Sequence, residues 1–198
     1  MVKNINYIIA LFLFTVSCSV SSSFNKRNSI NIITTNDIHG MLADQSADFM
    51  NPNFPPTIIG AAGFQKYIND LKTLSDSEGI LIFDSGNFFQ GHPLGIIDSG
   101  KTVIEWMNKV GYDALVPAQY DFIFGYKNLV SLSKKANFPF VACNLIFEDT
   151  KEHLFNPYVI IESENKKIGI LGVVPSSLDQ IVLQNNITGL EIQSELES

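Results

Sequence analysis

The chain has 198 residues, 45% hydrophobic and 11% aromatic, enough for one domain with a real core and too apolar for disorder. Its 20 acidic residues outnumber 13 basic ones, for a net charge of −7. The basic residues are scattered, as at Lys134–Lys135 and Lys166–Lys167, which excludes nucleic-acid binding through a phosphate-neutralising stripe.

Lys3 and the apolar run Ile8–Val16 read as a secretory leader over residues 1–17, too short to span a bilayer comfortably. The leader ends at Ser17-Cys18. A cysteine after small residues resembles a bacterial lipobox, which makes Cys18 the expected site of lipidation. The alternative is an ordinary signal peptide with an incidental cysteine. Residues 18–29 are polar and rich in serine, suited to a tether between a lipid anchor and a folded body of residues 30–198. The corresponding location is the bacterial cell envelope, lipid-anchored, or else secreted or periplasmic. With only Cys18 and Cys143 present, a disulfide framework is excluded; Cys143 follows an apolar run and reads as a small buried hydrophobe.

The body opens on INIITTNDIHG, residues 30–40. An apolar, β-branched run that ends in polar residues reads as a buried strand delivering groups into a loop, where open α/β sheets bind ligands. Asp37 and His39 stand two apart, so an extended segment projects both to one side, a carboxylate and an imidazole suited to a divalent metal. Gly40 lets the chain turn away. Residues 41–56 are a long irregular loop, and the apolar spacing of Phe64, Tyr67, Ile68 and Leu71 predicts a helix over about 59–74. GILIF at 79–83 is a second strand, running into DSGNFFQG at 84–91. A helix follows over 101–110, with Trp106 read as core and Gly111 as its stop. A short third strand is expected at 113–116, a helix at 126–136, and a fourth strand at 138–142 ending in Cys143 and Asn144. A hairpin pairs 158–161 with 167–174 about a turn at Glu164-Asn165. Residues 175–198 show little periodicity. Strands alternating with helices predict an α/β fold around a mostly parallel sheet, with four polar loops on one rim.

Four segments in this order, TNDIHG (35–40), DSGNFFQG (84–91), AQYDFIFG (118–125) and ACN (142–144), resemble the motifs of the 5′-nucleotidase group of calcineurin-like metallophosphoesterases. GAAGFQKYINDLK (60–72) and KIGILGVV (167–174) are similar to that group's connecting pieces. The resemblance implies a partial calcineurin-like β-sandwich flanked by helices, apparently truncated. It implies two divalent metals, zinc or manganese, that activate water and clamp the phosphate of an extracellular nucleotide or other phosphomonoester. Asp37 and His39 fall on the family's metal ligands. Asn87 stands where the family has a bridging Asp; an amide offers one neutral oxygen, so metal held through it is expected to bind weakly. Gln119 stands for a ligating Asn, and Tyr120 for the catalytic His, though a phenol is a poor proton partner at neutral pH beside an imidazole.

The family's further histidine ligands lie beyond the last strand read here, and a C-terminal nucleotide-binding domain follows them. This chain is expected to be the N-terminal part of such a domain, with a C-terminal half missing. His92 and His153 do not replace those ligands by motif. Three functions follow: a metal-dependent phosphomonoesterase, weak or inactive in this chain; a non-catalytic surface lipoprotein that keeps the scaffold for binding; or a truncated gene product.

Overall fold

A computed structural model describes residues 29–74 and 79–196. The expected leader, the lipidation site Cys18 and the tether up to residue 28 lie outside the described residues.

Strand β1 (Ile30–Thr35) pairs in parallel with β4 (Gly79–Asp84), and β4 with β5 (Ala114–Leu115), giving a three-stranded sheet in the order β1-β4-β5. The β1–β4 register sets Thr35 opposite Asp84, so both polar loops leave the sheet at one level. The loop after β1 carries a short antiparallel pair, β2 (Gln45–Ser46) with β3 (Thr57–Ile58). Helix α1 (Ala61–Leu74) links β1 to β4, and helix α3 (Lys101–Val110) links β4 to β5; the short helix α2 (Pro93–Ile96) precedes α3. These are the two β-α-β units that the alternation predicted.

Helix α3 shows why the pattern was legible. Val103, Ile104, Met107 and Val110 are all buried and fall on one face at helical spacing, with charged residues between them. Thr102 at its start donates both its N–H and its hydroxyl to Asp98 Oδ2. Gly111 ends it at φ +85°, a left-handed conformation in which its N–H reaches Met107 O. Trp106 is half-buried, its indole N–H donating to Ala61 O of α1 and its ring set 5.8 Å from that of Tyr112. The expected core role holds, and the same bond locks α3 to α1.

The structure departs from the sequence expectation most in three places. Residues 138–142 form no full strand; Phe140 bridges Leu115 in parallel and Val141 bridges Asn156. Strand β5 is two residues long, so it offers a neighbour only one bridge. The sheet rim is therefore made by three strands and one bridged segment rather than four strands. The helix expected over 126–136 stops earlier, as α4 (Tyr126–Ser133). Residues 175–196, expected to be irregular, carry short helices α5 (Leu178–Ile181) and α6 (Gln184–Ile187), then β9 (Leu190–Ile192), which pairs antiparallel with β6 (Leu145–Phe147). Elements of three and four residues are too short to show a period. The hairpin forms about the expected turn, β7 (Tyr158–Ser163) against β8 (Lys166–Leu171), the second strand ending at Leu171 rather than at residue 174, with Glu164 and Asn165 both at positive φ, as a two-residue hairpin turn requires. Cys143 is buried, as expected.

Candidate functional site

The loops after β1 and β4 are joined backbone to backbone. The N–H groups of Asp37, His39 and Gly40 donate to the carbonyls of Gly86, Asn87 and Phe88 at 2.9–3.0 Å, and His92 N–H returns to His39 O at 2.8 Å. Asp37 (φ +53°), His39 (φ +50°) and Asn87 (φ +56°) all sit in the left-handed region, where Asn, Asp and His are the side-chain-bearing residues best tolerated. Backbone strain of this kind collects at functional positions. Gly40 (φ +69°) has a second reason to be glycine: a Cβ there would lie 2.6 Å from the Cα of Gly95. Its expected role in turning the chain stands, and close packing adds to it.

The side chains of Asp37, His39, Asn87 and Tyr120 meet where these loops join. His39 Nδ1 lies 2.6 Å from Gln90 O. A carbonyl only accepts, so Nδ1 carries a proton, and in the neutral imidazole Nε2 is then the nitrogen with the lone pair, 3.8 Å from Asp37 Oδ1. Asp37 Oδ1 accepts from Asn87 Nδ2 at 2.8 Å, and its Oδ2 from Asn36 Nδ2 at 2.9 Å. Asn87 Oδ1 accepts the backbone N–H of Tyr120 at 3.0 Å. The Tyr120 ring is exposed and tilted against the His39 ring, with centroids 5.8 Å apart. Gln119 opens the 3₁₀ turn Gln119–Phe122 beside Tyr120 and is half-buried.

Asp121, which sequence reasoning passed over, is the pin under the site. Wholly buried, it accepts Asn87 N–H and Ala118 N–H on Oδ2, at 2.7 and 2.9 Å, and Phe88 N–H on Oδ1 at 2.9 Å. Burial pushes its carboxyl up to about 7, against the backbone donors that favour the ionised form. Asp84 is pushed up to about 6, again chiefly by burial, while bonds from Thr35 Oγ1 (2.7 Å) and Gly86 N–H (2.8 Å) pull the other way. Tyr112, whose hydroxyl lies 3.0 Å from Thr35 Oγ1, is likewise raised by burial. The signal for Asp121 was its place in the AQYDFIFG motif, but a buried acid within an apolar run says nothing of what it binds until the loops are seen around it.

Other singled-out residues lie away from this chemistry. Asn144 is fully buried and structural: its Nδ2 donates to Val174 O and Gln193 O, and its Oδ1 accepts Val174 N–H. His92 caps α2 through Nδ1, and His153 is exposed.

The fold is that of the calcineurin-like phosphoesterases. YfkN of Bacillus subtilis, a calcineurin-like phosphoesterase, superposes with a TM-score of 0.62 at 25% identity over 84% of this chain and 54% of that one. The 5′-nucleotidase precursor of Thermus thermophilus superposes with a TM-score of 0.71 at 22% identity, over 84% of this chain and 32% of that one. In sequence the chain is 29% identical over 174 residues to the snake venom 5′-nucleotidase of Gloydius brevicauda, covering 85% of this chain and 29% of that protein. The chain is thus related in sequence and fold to the 5′-nucleotidase group within the calcineurin-like phosphoesterases. It spans about a third of the length of the curated relatives it matches. No family model matches it.

The metal pair implied by this relationship does not fit the donors present. Where a bridging anion would be needed, Asn87 turns an NH₂ group toward Asp37, and its one acceptor oxygen already takes the Tyr120 N–H. A donor hydrogen where a cation needs a lone pair is a mismatch in kind. Among the described residues no group of three or more His, Cys, Asp or Glu side chains is arranged to hold a metal ion. Asp37 and Nε2 of His39 supply one edge of a single site at most.

Proposed function

We propose that this chain is a non-catalytic protein of the bacterial cell envelope, built on a 5′-nucleotidase-like scaffold from which the two-metal chemistry has been removed. The observation that carries this reading is the Asn87 side chain, hydrogen-bonded at both ends between the loops. The substitutions at Asn87, Gln119 and Tyr120 fall on the chemistry that the resemblance implies. Gly86, Gln90, Gly91, Phe122 and Gly125, which shape the loops, still match it. The leader and Cys18 support an envelope location with a lipid anchor, and the relationship to 5′-nucleotidases makes a nucleotide or other phosphomonoester the natural ligand to try.

A second reading is favoured by one observation. The Nδ1–H of His39 held on Gln90 O leaves Nε2 directed at Asp37, the tautomer that a metal-binding imidazole adopts. On this reading the chain is a phosphomonoesterase with one weakly held zinc or manganese ion on Asp37 and His39, aided by Gln119 and, where the bridge should be, Asn87. The two are separated by incubating the purified full chain with AMP and manganese or zinc, measuring phosphate release and bound metal together. The non-catalytic reading expects neither. Stoichiometric metal with phosphate release that disappears in His39→Ala would replace it by the second.

A further inference from the structure

We infer that Asn87 does by hydrogen bonding the structural work that a cation would do at this position, so that its amide is an internal substitute for the ion and the loops are held together without metal. This rests on the non-catalytic reading and deepens it, by naming the residue that makes the site independent of metal.

Every polar group of Asn87 is engaged, and its partners lie on two separate segments. Its side-chain Nδ2 donates to Asp37 of the first loop, and its carbonyl accepts His39 N–H from the same loop. Its Oδ1 accepts Tyr120 N–H from the 3₁₀ turn, and its own N–H donates to Asp121 of that turn. The residue is only 6% exposed, so water can supply little of this bonding if it is lost.

Charge explains why an amide rather than a carboxylate joins these loops. A carboxylate oxygen in place of Nδ2 would face Asp37 Oδ1 at 2.8 Å, with neither oxygen carrying a hydrogen. Asp84 and Asp121 lie buried in the neighbouring turns, so a further carboxylate would join acidic side chains already packed there. Two carboxylates this close demand either a shared proton or a cation between them. Asn and Asp are near-isosteric and both tolerate the left-handed backbone of this position, so Asn87→Asp exchanges a donor for an anion and changes little else. The substitution therefore asks directly whether the amide stands in for a positive charge.

The test is thermal unfolding of the full chain, as wild type, Asn87→Asp and Asn87→Ala, each in chelator and in saturating manganese. The wild type is expected to unfold at the same temperature in both. Asn87→Asp should fall by about 5 °C in chelator and regain that loss with manganese; Asn87→Ala should fall in both. If Asn87→Asp is unfolded in chelator, folding on addition of manganese carries the same meaning, and failure to fold in either condition overturns the inference. It is also overturned if manganese raises the wild type as much as Asn87→Asp, or if Asn87→Asp matches the wild type in chelator. The non-catalytic reading fails separately. Phosphate release from AMP by the wild type sinks that reading whatever the unfolding temperatures, whereas unrescued Asn87→Asp with no turnover leaves it standing.

Discussion

Asp121 and Asn87 show how much a single polar group can hold when its partners are backbone. Asp121 satisfies three N–H groups at the turns that carry the site, and two of these, on Asn87 and Phe88, are buried. Removing the carboxylate strands those donors away from water, and a buried unsatisfied donor costs about 1–3 kcal/mol. Asp121→Ala is therefore expected to lose about 3 kcal/mol or more in urea unfolding, and Asp121→Asn, which keeps one acceptor oxygen, roughly half that. Equal losses for the two variants would show that packing rather than hydrogen bonding is what Asp121 supplies. His39 differs, being partly exposed with one backbone partner for its ring. His39→Ala should cost less stability than Asp121→Ala, which makes it a usable control in the AMP assay.

At the scale of the element, α3 separates the residues that matter from those that do not. Met107 is fully buried on its inner face, while Lys109 points to solvent two residues later. Met107→Ala should destabilise by about 2–4 kcal/mol through lost burial and the cavity left behind, and Lys109→Ala by less than about 0.5 kcal/mol. Denaturant midpoints of the two variants check this. A small effect at Met107 would mean that the core collapses around the gap. The elements that sequence periodicity found are those long enough to repeat: β1 and β4 at six residues, α1 at 14 and α3 at 10. Those it missed, among them the paired strands β6 and β9 and the helices α5 and α6, are three or four residues long, and β6 and β9 exist because each offers the other a partner. Residues 138–142 err the other way: Phe138, Phe140, Val141 and Ala142 have the composition of a central strand, but the neighbour they needed is two residues long.

For the whole molecule, the two buried carboxyls predict a pH dependence of stability. Asp84 and Asp121 titrate near 6 and 7 when folded against an ordinary value of 3.8, so between about pH 4 and pH 7 the folded chain holds more protons than the unfolded one. Stability from these groups is complete below the unfolded value and is lost as pH rises through the folded values. The unfolding temperature should accordingly be higher at about pH 5 than at about pH 7.5, and the difference should shrink in Asp84→Asn. A chain that gains stability over the same rise in pH would contradict this. Both carboxyls are buried beneath the Asp37 and His39 side chains.

The class of fold was legible in the sequence alone, since alternating strand and helix periods admit a parallel sheet with its polar loops on one rim. Four ordered motifs made the resemblance to the 5′-nucleotidase group legible, with Asp37 and His39 matching its pattern and the residue types at positions 87, 119 and 120 departing from it. What the departures do emerged with the folded chain. That Asn87 bonds to Asp37 with one atom and to the Tyr120 backbone with the other, over a fully buried Asp121, depends on loops 33 to 50 residues apart in sequence being held in contact. A hydrogen bond is set by direction and distance at a few ångströms, and no one-dimensional pattern specifies those.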